Sequence, residues 1–334
     1  MAVLDTKLAV KDFLMAIDNP QTEPSVLTKL AQLLGTKVKN RRLEIPEKFG
    51  KGYCTGFVFN EHIRMMIMDY ELHEDLILEN PDTDARGRMI LFKFQNVISK
   101  PKTGSTAAPR QSPSVLITTS SMNADTAIPV HTHTATINIE VDAHYLNGLF
   151  DPSEKSVVLQ SLLQNTQPLL FEQMIYPALQ NIVDEILSGS MDKTFELFLT
   201  RIKAEELVCK LLMELKRRNE KRLYDLNPHD IQTLYQVKEK MLEHLDTPPV
   251  IAELAALANM SPSKLKHLFK QIFGNSIFSY YQECRMTEAA RLLKEKKLSV
   301  TEVGYQMGFT NLSHFSKIFR EHIGMKPKQY STLS

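Results

Sequence analysis

The stretch Ile251-Ala252-Glu253-Leu254-Ala255-Ala256-Leu257-Ala258-Asn259-Met260-Ser261 decides the C-terminal fold, because its pattern returns about fifty residues later as Val300-Thr301-Glu302-Val303-Gly304-Tyr305-Gln306-Met307-Gly308-Phe309-Thr310. Each copy is followed by an amphipathic segment, Pro262 to Phe273 and Asn311 to Ile323, that stops at a glycine, Gly274 or Gly324. Glu253 aligns with Glu302, Leu265 with Phe315 and Phe269 with Phe319. A small apolar helix, a sharp turn and a polar-faced second helix make a helix-turn-helix, and two in tandem point to DNA. The plain alternative is a helical bundle with ordinary solvated faces.

Each copy has a local logic. Ala255, Ala256 and Ala258 keep the first helix thin, so that a second helix can cross it closely. Gly308 stands where the turn favours positive φ, and Asn259, the next most tolerant type, stands there in the first copy. Ser261 and Thr310 are placed to cap the helices that follow. In those helices Leu265, Leu268, Phe269 and Ile272 recur at helical spacing, as do Phe315, Ile318, Phe319 and Ile323. The residues between them then face outward: Ser263, Lys264, Lys266, His267 and Lys270, and in the second copy Leu312, Ser313, Ser316, Lys317 and Arg320.

At this point residues 230–334 resemble the DNA-binding domain of AraC/XylS-type transcription regulators. The resemblance lies in Glu253-Leu254-Ala255, Met260-Ser261, Leu265 to Lys270, Gly274, Arg285-Met286 and Ala289 to Leu293. It continues in Val303, Gly308-Phe309, His314 to Arg320, Gly324, Pro327 and Tyr330, and covers about a third of the chain. It implies two helix-turn-helix units, at about 250–274 and 300–324, joined by one long helix near Phe278 to Lys296. Both second helices would lie in successive major grooves of double-stranded DNA. Base reading would fall to Ser263, Lys266 and His267 in the first unit, and to Leu312, Ser313, His314, Ser316 and Lys317 in the second. Lysines can donate to guanine, whereas Leu312 offers only apolar contact. Lys264, Lys270 and Arg320 are phosphate-contact candidates, which position a protein without specifying sequence. His314 is equally readable as packing beside Phe315.

Charge follows the same division. Residues 228–334 hold 14 Lys and Arg against 10 Asp and Glu, a net +4, while residues 1–227 carry a net −3. The basic part suits phosphate attraction, and the remainder does not suggest a second nucleic-acid site. A chain of 334 residues is long enough for two domains. Cys54, Cys209 and Cys284 show no paired spacing and read as small buried hydrophobes in a reducing compartment. The N-terminus lacks a signal-peptide pattern and no apolar run approaches the span of a bilayer, so a cytoplasmic location is expected.

The N-terminal part, 1–222 with a linker at 223–229, reads as α+β. A helix is expected over 8–35. From about 43 to 141 the pattern turns to β segments at Tyr53 to Asn60, His62 to Leu72, Arg88 to Val97, Ser114 to Ser120 and Thr134 to Val141. These describe a small antiparallel barrel or sandwich, and the resemblance implies a cupin-like jelly roll that senses a small molecule. Helices follow over about 153–218, at Ser153 to Gln164, Gln167 to Leu187 and Lys193 to Arg218. The apolar stripes of 167–218 either pack within their own domain or form an antiparallel helix pair in a homodimer, as the family does. Asn227-Pro228 opens the first helix of the C-terminal domain.

His131 and His133 would share one face of a strand, with Glu140 seven residues on. Metal-binding cupins use a similar motif with a shorter gap and framing glycines, both absent here. The two imidazoles also read as exposed loop residues, and no metal or other cofactor is expected. The resulting expectation is a non-enzymatic DNA-binding regulator, an activator contacting RNA polymerase and modulated by a small effector. A regulator controlled by a protein partner or by abundance is the first alternative. An enzyme with an appended DNA-binding domain, using Cys54 for alkyl transfer, is the second.

Overall fold

The computed structural model describes residues 24–74, 76–79, 88–98, 113–120, 127–130, 133–151, 154–189, 192–218, 220, 222–295 and 298–332. The chain divides into two compact units that part between Arg222 and Leu223. No helix among the described residues is long and apolar enough to cross a membrane.

The first unit begins with α1 (Ser25–Leu33), while residues 8–23 of the expected helix lie outside the described residues. Strands β1 (Arg42–Glu44), β2 (Gly50–Val58), β3 (Ile63–Leu72), β4 (Leu76–Glu79), β5 (Met89–Gln95), β6 (Ser114–Thr118), β7 (Ala127–Val130) and β8 (His133–Asp142) follow. Helices α2 (Ala143–Gly148) and α3 (Val157–Gln164) lead to β9 (Leu170–Met174), α4 (Pro177–Leu187) and α5 (Glu196–Lys216). Seven strands form one sheet in the order β1-β2-β3-β8-β5-β6-β9, and β4 pairs with β7. Every pairing is antiparallel.

Period-two patterning explains the sheet. Along β3, β8, β5 and β6 alternate residues share a face: Ile63, Met65 and Ile67, then Ile137, Ile139 and Val141, then Ile90, Phe92 and Phe94, then Val115 and Ile117. All of these side chains are buried, so that face is a continuous apolar core. On the opposite face α1 covers the β2 end, where Leu27, Leu30, Ala31 and Leu34 pack with Cys54, Tyr70 and Leu72.

One expected helix is corrected. Residues 167–175 are not its first turns; they hold β9, which pairs with β6 from Leu170–Thr118 to Met174–Ser114. Pro168 and Pro177 bracket the segment and discourage a helix through it. Leu169, Leu170 and Phe171 are all buried consecutively, which a helix with one apolar stripe would not allow. Thr119 fixes the approach, because its hydroxyl donates to the Gln167 carbonyl at 2.8 Å and accepts from the Leu169 amide at 2.8 Å.

Helix α5 also departs from a single stripe. Thr200, Ala204, Leu207, Val208, Leu211 and Leu215 are buried. Phe195, Phe198, Ile202 and Met213 stand 56%, 63%, 42% and 54% exposed on another face. Cys209 is exposed, contrary to its reading as a buried hydrophobe; Cys54 and Cys284 are buried.

The second unit is helical: α6 (Pro228–Leu242), α7 (Ile251–Leu257), α8 (Pro262–Phe273), α9 (Ile277–Lys294), α10 (Val300–Gln306), α11 (Leu312–Ile323) and α12 (Pro327–Thr332). The Asn227 side chain caps α6 by accepting from the Asp230 amide at 2.7 Å. Helix α9 joins two cores. Its first half packs Tyr280 against Phe269 and Phe273 of α8, with ring centroids 5.6 and 5.4 Å apart. Its second half contributes Met286, Ala289, Ala290 and Leu293 to a cluster with Val303, Met307, Phe309, Phe315 and Phe319.

Candidate nucleic-acid interface

In the first motif, α7 leads through Asn259 at φ 49° to Ser261, whose hydroxyl accepts from the Lys264 amide at 3.2 Å. Asn259 therefore holds the left-handed turn position expected of it. Helix α8 buries Leu265, Leu268, Phe269 and Ile272 and ends at Gly274, φ 77°. Ser263, Lys264, Lys266, His267 and Lys270 are all exposed.

Exposure does not make these side chains equivalent. The Lys264 ammonium donates to the buried Asp230 carboxylate at 3.1 Å, so its charge is already matched inside the unit. His267 is anchored too: Nδ1 lies 2.8 Å from the Ser263 carbonyl, and the ring sits 5.8 Å from Tyr224. That leaves Nε2 as the imidazole atom turned to a partner. Among the described residues Lys266 and Lys270 make no hydrogen bond or ion pair, and their ammonium groups are exposed to meet a polyanion.

The second motif is secured more tightly. Ser299 and Glu302 form a capping box at the start of α10, with the Glu302 amide donating to Ser299 Oγ at 3.2 Å and the Ser299 amide donating to Glu302 Oε2 at 2.7 Å. Those bonds hold the Glu302 carboxyl below the usual carboxylate range. The cap of α11 is Asn311 and not Thr310, as expected from sequence; its Oδ1 accepts from both Ser313 and His314 amides, at 2.9 and 3.1 Å. Asn reaches two orphan donors at once, which explains the one-residue shift.

Ser313, His314, Lys317 and Arg320 are exposed on α11, and Ser316 is half-buried. His314 stands edge-on to Phe309, not beside Phe315, with ring centroids 5.7 Å apart. Leu312 is only half-exposed, because its side chain fills the space over Gly304; a Cβ on that glycine would come within 2.7 Å of Leu312 Cδ2. Leu312 therefore works first in packing α11 against α10.

The joint between the motifs was not legible beforehand. Arg285 of α9 is 6% exposed. Its Nε donates to the Met307 carbonyl at 2.7 Å, Nη2 donates to the same oxygen, and the guanidinium lies 3.9 Å from the Phe309 ring centre. Burial pulls its pKa below the ordinary arginine value. Gly308, at φ 71°, sits so close to the α6–α7 loop that a Cβ would lie 1.9 Å from the Asp246 carbonyl oxygen. Tyr281 donates to the neighbouring Leu245 carbonyl at 2.8 Å. The turn of the second motif is thus seated on the loop preceding the first.

Residues proposed for other chemistry are separated. His131 lies outside the described residues. His133 begins β8 and its Nε2 stands 3.9 Å from Glu71. Strand parity sends Glu140 to the opposite face, where Arg64 Nε donates to it at 2.6 Å. Cys54 is fully buried, and burial pushes its thiol up to about 12, so the thiolate needed for alkyl transfer is disfavoured.

Residues 254–332 match a family model described as a helix-turn-helix domain. The chain is 35% identical over 95 residues to the HTH-type transcriptional regulator GbdR of Pseudomonas aeruginosa, covering 28% of this chain and 26% of that protein. It is 31% identical over 129 residues to the arabinose operon regulatory protein of Escherichia coli, 38% of this chain and 44% of the relative. Among solved structures, a Chromobacterium violaceum transcriptional regulator with an AraC-type DNA-binding domain is 28% identical, at a TM-score of 0.29 over 31% of this chain and 94% of that one. The match spans less than half the length of these curated relatives.

Proposed function

We propose that this chain, whose C-terminal domain is a helix-turn-helix domain of the AraC type, is a sequence-specific DNA-binding transcription regulator. The observation that carries the reading is the pair of exposed polar helix faces, on α8 and α11, held in one unit by the Arg285–Met307 joint. Lys266, His267, Ser313, His314, Ser316 and Lys317 face bases in successive major grooves. Lys270 and Arg320 meet phosphates; Lys264, tied to Asp230, supports the α6–α8 contact first.

The N-terminal unit, on this reading, is a cupin-like sensor whose effector shifts the population able to bind DNA and contact RNA polymerase as an activator. Dimerisation follows the exposed face of α5, because Phe195, Phe198 and Ile202 form an apolar patch, with Met213 further along the same face, that a second copy of the helix, antiparallel, would cover. Control by a protein partner or by abundance uses the same DNA-binding unit without an effector.

The test is selection of a preferred site from random DNA with the full-length protein, followed by affinity measurement across salt. Binding to the selected site that weakens linearly in log-log form with salt is expected. Absence of any salt-dependent affinity sinks the reading. Loss of one phosphate contact in Lys270→Ala flattens the slope by about one unit while leaving the selected sequence unchanged.

A further inference from the structure

The two faces of the central sheet differ in kind. One is apolar through its centre, with Asp69, Glu71 and His133 only toward one end. On the other, the cross-strand register lines up Arg64 with Glu140, Lys93 and Met66 with Asn138, and Gln95 and Met68 with Thr136. Leu91 is paired with Glu140, and Leu116 with Lys93. Residues directly opposite one another point to the same face, with Cβ atoms about 4.5–5.5 Å apart. Lys93, Asn138 and Thr136 therefore form one strip across β5 and β8, floored by Met66, Leu91 and Leu116.

A solvated sheet face would explain polar residues in such a row, but this strip is enclosed. The Arg64 and Glu140 side chains are only 18% and 24% exposed, and Thr136 is 8% exposed. Arg64 and Glu140 satisfy each other. Their neighbours are left without partners: Thr136 Oγ1 and Asn138 Oδ1 are buried with no hydrogen bond. Lys93 makes no hydrogen bond or ion pair among the described residues, the diagonally placed Glu140 being taken by Arg64, and its burial lowers its pKa. Buried polar groups are ordinarily satisfied, and each orphan is costly. Two adjacent orphans, beside a half-buried cation with no partner among the described residues, set this strip apart from the rest of the sheet.

We propose that this strip is a binding site for a small organic carboxylate, its anion held by the Lys93 ammonium and the Thr136 hydroxyl and its apolar body lying on Met66, Leu91 and Leu116. Asn138 fixes orientation, its Oδ1 accepting from a hydroxyl or amide donor on the ligand. The site lies beyond the region that α1 covers through Cys54 and Met68. The assignment rests on reading the N-terminal unit as the sensing part of the regulator, and it names the chemical class sensed.

The experiment uses full-length protein without DNA, in thermal-shift and calorimetric titrations with benzoate and hexanoate. Benzyl alcohol and hexanol are matched probes lacking the charge. At least one carboxylate binds saturably, and its alcohol does not. Lys93→Met, which keeps the chain length and removes the charge, weakens that binding by about tenfold or more, as loss of a charge-assisted pair requires. Thr136→Val weakens it by about threefold to tenfold, and serves alone should the lysine variant not fold. Failure of both carboxylates to bind overturns the assignment. So does equal binding of acid and alcohol, or undiminished binding in both variants. DNA affinity is measured separately on the same preparations: its presence without carboxylate binding removes only the site, whereas carboxylate binding without DNA affinity removes the regulator reading.

Discussion

Where the first motif enters α7 from Val250 with no side-chain cap, the second enters α10 through the Ser299–Glu302 capping box. Where the first turns on Asn259, the second turns on Gly308 against the Asp246 carbonyl. Where Ser261 satisfies one amide, Asn311 satisfies two. At the surface each second helix presents two exposed cations, Lys266 and Lys270 on α8 and Lys317 and Arg320 on α11, but Leu312 at the start of α11 turns inward over Gly304 whereas Ser263 on α8 is exposed. One plan is thus realised twice, and the second copy is the more tightly defined mechanically. Each difference marks a place where the two copies respond unequally to the same change.

The largest inequality lies at the turns. Gly308→Ala forces a side chain into left-handed backbone and against Asp246 O. A loss of about 3 kcal/mol or more is expected, from the unfavourable φ together with a backbone clash. The equivalent change in the first motif, Asn259→Gly, keeps a residue type tolerant of that φ and shifts stability by less than about 1 kcal/mol. Thermal unfolding of the full-length protein, followed through the loss of DNA binding, measures both. Similar small effects at both turns would mean that the second motif is not seated on the α6–α7 loop.

Next comes the joint itself. Arg285→Met fills similar volume but strands the buried Met307 carbonyl, costing about 2–3 kcal/mol. The more telling readout is DNA affinity measured with both half-sites present and with one scrambled. In the native protein α8 and α11 act together, so scrambling either half-site weakens binding strongly. In Arg285→Met the two half-sites contribute more independently, and inserting one base pair between them is tolerated better. Unchanged spacing preference would show that the α9 core alone fixes the geometry.

How far the sequence carried these distinctions depends on their range. Features set by neighbours within a turn or two were legible: the left-handed positions at Asn259 and Gly308, the helix stops at Gly274 and Gly324, the Ser261 cap, and the buried rows of α8 and α11. Outward-facing Lys266, His267, Lys270, Ser313, Lys317 and Arg320 followed from the same periodicity. Long-range partners were not. Arg285 reads as one more polar residue of an amphipathic helix until Met307 is brought to it, and Lys264 reads as a phosphate contact until Asp230 is. The same limit applies to β9, where Leu170, Phe171 and Met174 have helical spacing, and only β6 on one side makes the strand. In the sheet the alternation of β5 and β8 was visible, but the enclosed polar strip needed the register that sets Lys93 opposite Asn138.

Smaller effects sharpen the comparison at the helix starts. Asn311→Ala removes the acceptor of two amides and should cost about 1–2 kcal/mol, against about 1 kcal/mol for Ser261→Ala, which removes one. Amide exchange at Ser313, His314 and Lys264 reads the two caps separately. Equal losses would mean that only one of the Asn311 bonds contributes.

The smallest effect is the one most specific to the second motif. Glu302 is held in its charged form by the Ser299 amide and hydroxyl, so its pKa is lower in the folded protein than in the unfolded chain. A depressed carboxyl adds stability that is present above its unfolded pKa and lost as the pH falls through its folded one. The capping box therefore loosens only under acid, and the Glu302 carboxyl resonance should titrate below the ordinary glutamate range. In Ser299→Ala that depression shrinks, because the hydroxyl is gone while the backbone amide, its larger cause, remains. Glu253 occupies the corresponding place in α7, but Val250 has no hydroxyl to complete a capping box. Glu253→Gln accordingly leaves exchange at the start of α7 unchanged, whereas Glu302→Gln raises it at the start of α10. A Glu302 titration wholly unchanged by Ser299→Ala would show that the hydroxyl contributes nothing to the tighter definition of the second motif.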